Sequence, residues 1–209
     1  MQMGIDFWEF LAPDDDSVVV IDLNYSTDRI KKMNRELNPN GINAIAIKTN
    51  PLVEVLRNLN QQGAAFEAAS MGEIAIAKAA GIPNNRIVFD SPVKTKLELN
   101  WLNSQFLGGY INADSFDDLQ NMQNFSQEIH LGLRLNPSMN IQSPNSLNVS
   151  GANSKFGEVL HEISEEWIQK IRQFDRLDGL HVHQASQNSD FSNTLKGIRK
   201  VVDLANALP

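Results

Sequence analysis

The chain has 209 residues, enough for one domain with a sizeable hydrophobic core, and 42% of them are hydrophobic, as in an ordinary globular protein. The formal net charge of −7, without a basic stripe, argues against nucleic-acid binding, because phosphate contacts need clustered Lys and Arg. The absence of cysteine excludes disulfides, thiolate metal sites and cysteine nucleophiles, and the longest apolar runs are too short to span a bilayer.

The N-terminal region carries no pattern of a targeting segment or a metal site. Residues 1–10 lack a basic region followed by an apolar one, so we expect no signal peptide and a cytoplasmic location. The acidic run of residues 14–16 is interpreted as a solvated turn, since three consecutive carboxylates do not easily converge on one ion. We therefore expect no bound metal.

Short apolar segments recur along the chain and predict β-strands. They are mostly apolar rather than alternating, which is typical of strands that are covered on both faces in a parallel sheet. The segments are residues 18–21, 44–47, 65–66, 86–89, 109–111, 130–135 and 179–183.

Helix start signals lie between these segments. Pro51 is expected to open one helix, because proline is favoured at the first helical position. Ser70 and Thr95 are each followed by Glu three residues later and fit capping boxes. Ser115 and Ser164 precede acidic residues and predict two further helix N-termini.

The alternation of strands and helices favours an α/β fold with a parallel sheet. Residues 191–208 predict a final amphipathic helix with Leu195, Ile198 and Val202 among its apolar positions. Residues 137–157 are different: they are rich in Asn, Ser and Pro and predict a long loop, of a kind that is usually functional or disordered.

Lys48 is the most informative single residue. It ends an apolar strand candidate, and Asn50 is pushed towards extended geometry by the proline that follows it. This places the amine at the carboxyl end of a strand, where barrel enzymes keep their active sites. An amine beside apolar strands is suited to Schiff-base chemistry. The alternative interpretation is a strand-end lysine that simply points into solvent.

Five later segments favour the Schiff-base interpretation over the solvent-exposed one. They are residues 66–73 (FEAASMGE), 91–94 (SPVK), 133–137 (LRLNP), 154–157 (SKFG) and 179–186 (GLHVHQAS). In this order and spacing, the segments resemble the pyridoxal-phosphate barrel of the fold-type III decarboxylases of ornithine, diaminopimelate and arginine. The resemblance extends from about residue 18 to residue 208.

The resemblance implies an α/β fold, an incomplete TIM (β/α) barrel of the alanine-racemase type, with pyridoxal 5'-phosphate as cofactor. Lys48 matches the Schiff-base lysine, and His183 matches the histidine that stacks on the cofactor ring; both are expected to be catalytic. Ser186 matches a serine that binds the cofactor phosphate. Glu67 stands where the family usually has Asp, and Arg134 matches a strand-end arginine that faces the same pocket.

Several of these residues also have purely structural interpretations. Glu73 could only complete the capping box of Ser70, and Arg134 could pair with a carboxylate and nothing more. Lys155 could organise its loop rather than contact ligand. His181 alternates with His183 along the last strand and is expected to face the other way, as a packed or hydrogen-bonded structural histidine.

The chain also departs from the family pattern. Ala185 replaces a usual glycine, and its Cβ could crowd a phosphate. Residues 1–25 are predicted to lead from the β-domain side, and residues 26–209 to form a partial barrel of six strands, without the Gly-rich phosphate loop and the acidic partner of the cofactor nitrogen. An open barrel exposes a sheet edge. We therefore expect a homodimer or a complementing C-terminal half, in addition to an amino-acid substrate.

The sequence is compatible with three functions. The resemblance implies decarboxylation of a basic or dibasic amino acid of the diaminopimelate, ornithine or arginine class, with this chain inactive alone. The second is a non-catalytic fragment or homologue that binds the cofactor or occupies a decarboxylase interface. The third, a fold-type III racemase, shares the lysine-bearing barrel but not the pair of motifs around residues 154–157 and 183–186.

Overall fold

The computed structural model describes residues 7–37, 40–138, 154–183 and 191–208. Parallel strands alternate with helices through most of this part of the chain. The strands are β1 (Ala44–Ala46), β2 (Ala65–Ala68), β3 (Ile87–Phe89), β4 (Tyr110–Ala113), β5 (His130–Asn136), β6 (Glu158–Val159) and β7 (Leu177–Val182). The helices are α1 (Leu23–Glu36), α2 (Val53–Gln61), α3 (Met71–Ala79), α4 (Lys96–Gln105), α5 (Phe116–Asn121), α6 (Glu165–Arg172) and α7 (Phe191–Ala207).

All strands pair in parallel in a single sheet. The order is β1-β2-β3-β4-β5-β6, and β7 also pairs with β5. Within the described residues, β1 pairs only with β2 and β7 only with β5, so the sheet curves without closing. The incomplete α/β barrel expected from the sequence is therefore confirmed, with six barrel strands and the short additional strand β6, which the sequence did not predict.

The hydrophobic core lies between the outer face of the sheet and the helices. On β2, Phe66 and Ala68 are fully buried in this core, whereas Glu67 between them points to the inside of the curved sheet. Residues two apart on a strand share a face, so each strand divides its side chains between core and interior. This division brings polar side chains from different strands together.

The helix N-termini predicted at serine and threonine are confirmed by their hydrogen bonds. The prediction for Pro51 is wrong by two residues, because α2 begins at Val53 with Leu52 as its N-cap. The hydroxyls of Ser70, Ser115 and Ser164 each accept a hydrogen bond from a backbone N–H three residues on. Thr95 forms both halves of a capping box with Glu98. The carboxylate of Glu73 accepts instead from the N–H of Ala69, at 2.7 Å, one residue before the Ser70 cap.

The first predicted strand is wrong. Residues 18–21 form no strand, and α1 begins at Leu23, where the Asp22 carboxylate accepts a hydrogen bond from the N–H of Tyr25. The run of β-branched residues favours extended backbone locally, but no described strand lies beside it, and Val19 is 85% exposed. The predicted domain boundary after residue 25 lies within α1 and stays a prediction.

The last helix is confirmed, and its predicted apolar positions are buried only in part. Val201 and Leu204 are buried against the core, whereas Leu195, Ile198 and Val202 are 62%, 40% and 48% exposed. No described element covers this second face. None of the described helices is long and apolar enough to cross a membrane.

Lys94 and Asp118 form an ion pair beneath the carboxyl ends of the strands. The Lys94 amine lies 2.6 Å from Asp118 Oδ2, and the side chains are 0% and 16% exposed. The amine also donates to the carbonyl of Ser91, and Asp118 Oδ2 accepts from the N–H of Asp114. The pair thus joins the segment after β3 to the segment after β4.

We expect the Lys94→Met substitution to lower the free energy of unfolding by about 3 kcal/mol, because it leaves a largely buried carboxylate without its cation. Urea denaturation measures this loss. The matched control is Lys96→Met, which removes an exposed charge at the start of α4 and should change stability by less than about 0.5 kcal/mol. Equal losses in the two variants would show that the buried pair is not a stabilising contact.

Candidate functional site

A cavity of about 570 Å³ lies at the carboxyl ends of the barrel strands. The side chains that line it come from, or directly follow, five of the strands and the segment before β6. They are Ala44, Ala46, Lys48, Glu67, Ala69, Asp90, Pro92, Arg134, Phe156, His181 and His183. Four of the five site residues predicted from the sequence therefore converge on one cavity: Lys48, Glu67, Arg134 and His183. Ser186, like Ala185, lies outside the described residues.

Lys48 sits on a single turn of 3₁₀ helix that follows β1 directly. Ile47 before it is fully buried and anchors the turn. The Thr49 hydroxyl donates to the carbonyl of Ala46 at 2.7 Å, and the Asn50 N–H donates to the carbonyl of Ile47 at 3.0 Å. These two hydrogen bonds span Lys48 and hold the backbone of the turn. The Lys48 side chain is exposed and lies along the cavity wall.

Glu67 lies beside Ala46 in the register of β1 and β2. Burial raises the pKa of Glu67, and the negative charge of Asp90 acts in the same direction. The nearby Lys48 amine opposes the shift without cancelling it. The cavity therefore contains a carboxyl group that holds its proton to higher pH than an exposed glutamate does.

Arg134 is 8% exposed and combines the two roles considered for it. Its guanidinium lies 3.2 Å from Asp114 Oδ1, and 4.8 Å from the centre of the Phe156 ring, which it faces. It also lines the cavity. The carboxylate therefore fixes Arg134, and the arginine in turn supports the aromatic side chain of the SKFG segment.

The backbone conformation and the close packing at residue 157 explain why the SKFG segment ends in glycine. Gly157 has a φ of +73°, and a Cβ there would lie 3.1 Å from Arg134 Cγ and 3.2 Å from the Asn136 nitrogen. Its N–H donates to Asp114 Oδ2 at 3.2 Å. Lys155 places its amine 5.2 Å from the centre of the Phe156 ring and does not line the cavity, which agrees with a loop-organising role.

The expectation that His181 and His183 face opposite ways is wrong. Both line the cavity, with ring centres 6.4 Å apart and ring planes at 84°. The physical reason is the strand period of two: residues i and i+2 point to the same side. The His183 side chain is exposed at one side, but partial desolvation of its ring by the cavity wall lowers its pKa, and the positive charges of Arg134 and His181 lower it further.

Asp90 is not among the site residues predicted from the sequence. Its carboxylate lies 3.2 Å from His181 Nδ1. Burial acts to raise the pKa of Asp90, but the neighbouring His181 and Arg134 hold it below the usual value. Its position is a signal that sequence reasoning could have used, because a charged residue directly after the apolar strand at residues 87–89 occupies the same strand-end site as Lys48.

The Gly157→Ala substitution should lower stability and loosen the contacts of Arg134 and Phe156. The left-handed backbone alone costs a side chain about 1–2 kcal/mol, and the close approach to strand β5 adds to this. Gly81→Ala is a matched control, because Gly81 has a φ of +77° but nothing within 4 Å of the added Cβ. Thermal unfolding should show the larger loss for Gly157→Ala; equal losses would mean that the contact with β5 is not tight.

Comparison with known proteins bears directly on this site. Residues 25–208 match the family model of the pyridoxal-dependent decarboxylases, pyridoxal binding domain. The chain is 27% identical over 192 residues to diaminopimelate decarboxylase of Methanocaldococcus jannaschii, covering 88% of this chain and 44% of that protein. It is 26% identical over 167 residues to an L-glutamyl-[BtrI acyl-carrier protein] decarboxylase of Niallia circulans, covering 77% and 38% respectively.

Solved structures agree with the fold. Diaminopimelate decarboxylase of M. jannaschii in complex with L-lysine superposes with a TM-score of 0.67 at 26% identity, over 87% of this chain and 44% of that one. The Helicobacter pylori enzyme gives a TM-score of 0.72 at 23% identity, covering 87% and 48%. The chain spans about half the length of these relatives or less. The resemblance inferred from the motif order is thus confirmed, and the chain belongs to the pyridoxal-binding domain family of the pyridoxal-dependent decarboxylases.

Proposed function

We propose that this chain binds pyridoxal 5'-phosphate in the cavity at the strand ends and supplies the lysine-bearing half of an amino-acid decarboxylase. The observation that supports the proposal is the convergence of Lys48, Glu67, Arg134 and His183 on that one cavity. Its volume of about 570 Å³ lies within the usual range of cofactor sites. The residues also suit the group chemically, since a primary amine, a flat imidazole and a guanidinium match an aldehyde, an aromatic ring and an anionic substituent.

When bound, pyridoxal phosphate would supply an electron sink for the bond that is broken at the substrate. Lys48 would hold the cofactor covalently through its amine, which the closed turn after β1 keeps at the cavity wall. His183 would present an uncharged ring for stacking, because its lowered pKa keeps the imidazole neutral near pH 7. Arg134 would balance negative charge, since Asp114 and Phe156 hold its guanidinium in place.

The proposed substrate is a basic or dibasic amino acid. Diaminopimelate decarboxylases are among the relatives with the greatest coverage of this chain, so diaminopimelate is the first substrate to test, before ornithine and arginine. A cytoplasmic location and a complex with a second copy or a complementing C-terminal half are part of the same proposal. The half-exposed edges of the sheet at β1 and β7 support the need for such a complex.

A non-catalytic role is the second candidate. The observation that favours it is the exposure of Lys48 and His183 together with the unclosed sheet of the described residues. Efficient sites exclude water, so we expect cofactor binding with little turnover from the isolated chain. Release of carbon dioxide from diaminopimelate, ornithine or arginine by this chain alone would contradict the non-catalytic alternative.

Borohydride trapping tests the role of Lys48. After incubation with pyridoxal phosphate and reduction, peptide mapping should place the pyridoxyl group on Lys48. The Lys48→Arg variant should lose this label, because its guanidinium cannot form the same bond, whereas Lys155→Arg should keep it. A label on other lysines with none on Lys48 would overturn the assignment.

The charge environment of His183 makes a second test possible. The pKa of His183 should lie below the usual histidine value in the wild-type chain, so that protonating it costs folding stability as the pH falls. The Arg134→Gln substitution should raise this pKa, because it removes a nearby positive charge and leaves the negative charge of Asp114. Arg199→Gln, on the exposed side of α7, should not change it.

A pH titration followed by NMR, with the His183 resonance assigned through a His183→Gln variant, measures both effects. A wild-type pKa at or above the usual value would contradict the proposed neutral ring. The same pKa in the wild type and in Arg134→Gln would show that Arg134 does not act on His183.

A further inference from the structure

Asp90 and His181 are two charged or ionisable residues of the cavity to which the proposed function gives no role. Their side chains are 14% and 20% exposed, and His181 Nδ1 lies 3.2 Å from Asp90 Oδ1. The nitrogen is itself buried and makes no well-directed hydrogen bond among the described residues, so the two groups are in polar contact by distance and carry opposite charges only when His181 is protonated. Taking two such groups out of water is costly, so their presence in the cavity needs a reason beyond packing.

Asp90 is held from a second side by Asn112. The Asn112 side chain lies beside the Asp90 carboxylate and helps to keep the pKa of Asp90 low, although less than His181 and Arg134 do. Asn112 in turn lies over Gly132 of β5, where a Cβ would overlap the Asn112 side-chain oxygen. Glycine at residue 132 therefore makes room for the group that anchors Asp90. The Asp90 carboxylate therefore has a polar neighbour on β4 in addition to His181.

Among the described residues, His183 has no such anchor in the sheet. Strand β7 ends at Val182, so the hydrogen-bond ladder does not include His183, and its side chain is exposed. The contact that the structure shows for its ring is the perpendicular one with His181, at a centre-to-centre distance of 6.4 Å. Edge-to-face contacts in this distance range are favourable and directional. The orientation of the His181 ring therefore constrains the plane of the His183 ring.

We propose that Asp90 and His181 form a positioning pair that sets the plane of the His183 ring. The proposed series of contacts starts at Gly132 on β5 and Asn112 on β4. It continues to Asp90, which follows β3, and then to His181 and His183 at the end of β7. No proton needs to move in this role: Asp90 restrains rotation of His181, and His181 restrains His183. The role in cofactor orientation rests on the proposed function, since it is the stacking of the cofactor on His183 that gives the plane its importance.

The test uses Asp90→Asn, which keeps the shape of the side chain but removes its charge. The matched control is Asp178→Asn, because Asp178 also pairs with a histidine, His130 at 4.0 Å, but at the other end of the sheet and outside the cavity. His181→Phe retains an aromatic ring and lacks the nitrogen that faces Asp90. Far-UV circular dichroism and thermal unfolding confirm that each variant is folded.

The first readout does not involve the cofactor. In the cofactor-free wild type, ring protons of His181 and His183 should show a nuclear Overhauser effect, which Asp90→Asn should weaken or abolish and Asp178→Asn should retain. Retention of the full effect in Asp90→Asn overturns the positioning role. Because this measurement needs no pyridoxal phosphate, it decides the inference even if the proposed function fails.

The second readout is the bound cofactor. We expect Asp90→Asn to weaken pyridoxal phosphate binding by about fivefold to tenfold, the effect of losing one charged contact, and to change the induced circular dichroism of the cofactor. Borohydride should still label Lys48. His181→Phe should behave like Asp90→Asn, and the double variant should be no worse than either single one, since the two residues act as one unit.

The outcomes separate the two hypotheses. A wild-type chain that is not labelled at Lys48 refutes the proposed function, and the Overhauser measurement alone then decides whether the pair positions His183. A labelled wild type with unchanged affinity and unchanged dichroism in both Asp90→Asn and His181→Phe overturns the inference and leaves the proposed function in place. Additive losses in the double variant also contradict a single positioning pair.

Discussion

The carboxylate of Asp114 joins the elements that build the cavity. One oxygen accepts from the guanidinium of Arg134 on β5, and the other accepts from the N–H of Gly157 in the SKFG segment. The N–H of Asp114 donates to Asp118, whose charge is balanced by Lys94. Buried charges are tolerated when they are paired and hydrogen-bonded, so each of these groups depends on the others. Replacing Asp114 would leave Arg134 without the carboxylate that it contacts directly.

The parallel sheet explains why such a network can exist beside an apolar core. Every second residue of a strand faces the helices, and there the side chains are apolar and fully buried, as with Phe66 and Phe89. The alternate residues of each strand face the interior of the barrel, where Glu67 and Asp90 lie near groups from neighbouring strands. Parallel strands also end at the same side, so the polar groups collect there. The strand face towards the helices therefore stabilises the fold through apolar packing, and the opposite face carries the polar groups of the cavity.

The elements that the sequence predicts correctly are those with local causes. The capping box of Thr95 and the strand-end position of Lys48 follow from residues close in the chain, and the structure shows both. The β-branched side chains of residues 18–21 favour extended backbone, but strand formation needs a neighbour, which local propensity does not reveal. The orientation of His181 is different, because a strand period of two already places it on the same side as His183, so the information was present in the sequence.

Only those site residues that belong to recognisable sequence motifs could be predicted from the sequence. Lys48, Glu67, Arg134 and His183 belong to ordered segments, so their convergence follows from the family resemblance. Asp90 belongs to no such segment, and its importance depends on a contact between β3 and β7 that is distant in sequence. Long-range pairing of this kind appears only when the strand order is known. Motifs that are continuous in the chain therefore identify Lys48 and His183, but not a neighbour such as Asp90 that approaches them only in the folded sheet.

Burial falls from the centre of the sheet to its edges, and this gradient links packing to the cavity. Six of the seven residues of β5 are buried, whereas none of β7 or β1 is. Beside β7, helix α7 exposes a stripe of four apolar side chains, Phe191, Leu195, Ile198 and Val202. Covering each of them would contribute about 1 kcal/mol. A surface that covered the β7 side and reached His181 and His183 would also remove water from the cavity, and charges attract more strongly where water is excluded. The contact of Asp90 with His181 and the guanidinium contacts of Arg134 would then strengthen together with the apolar packing.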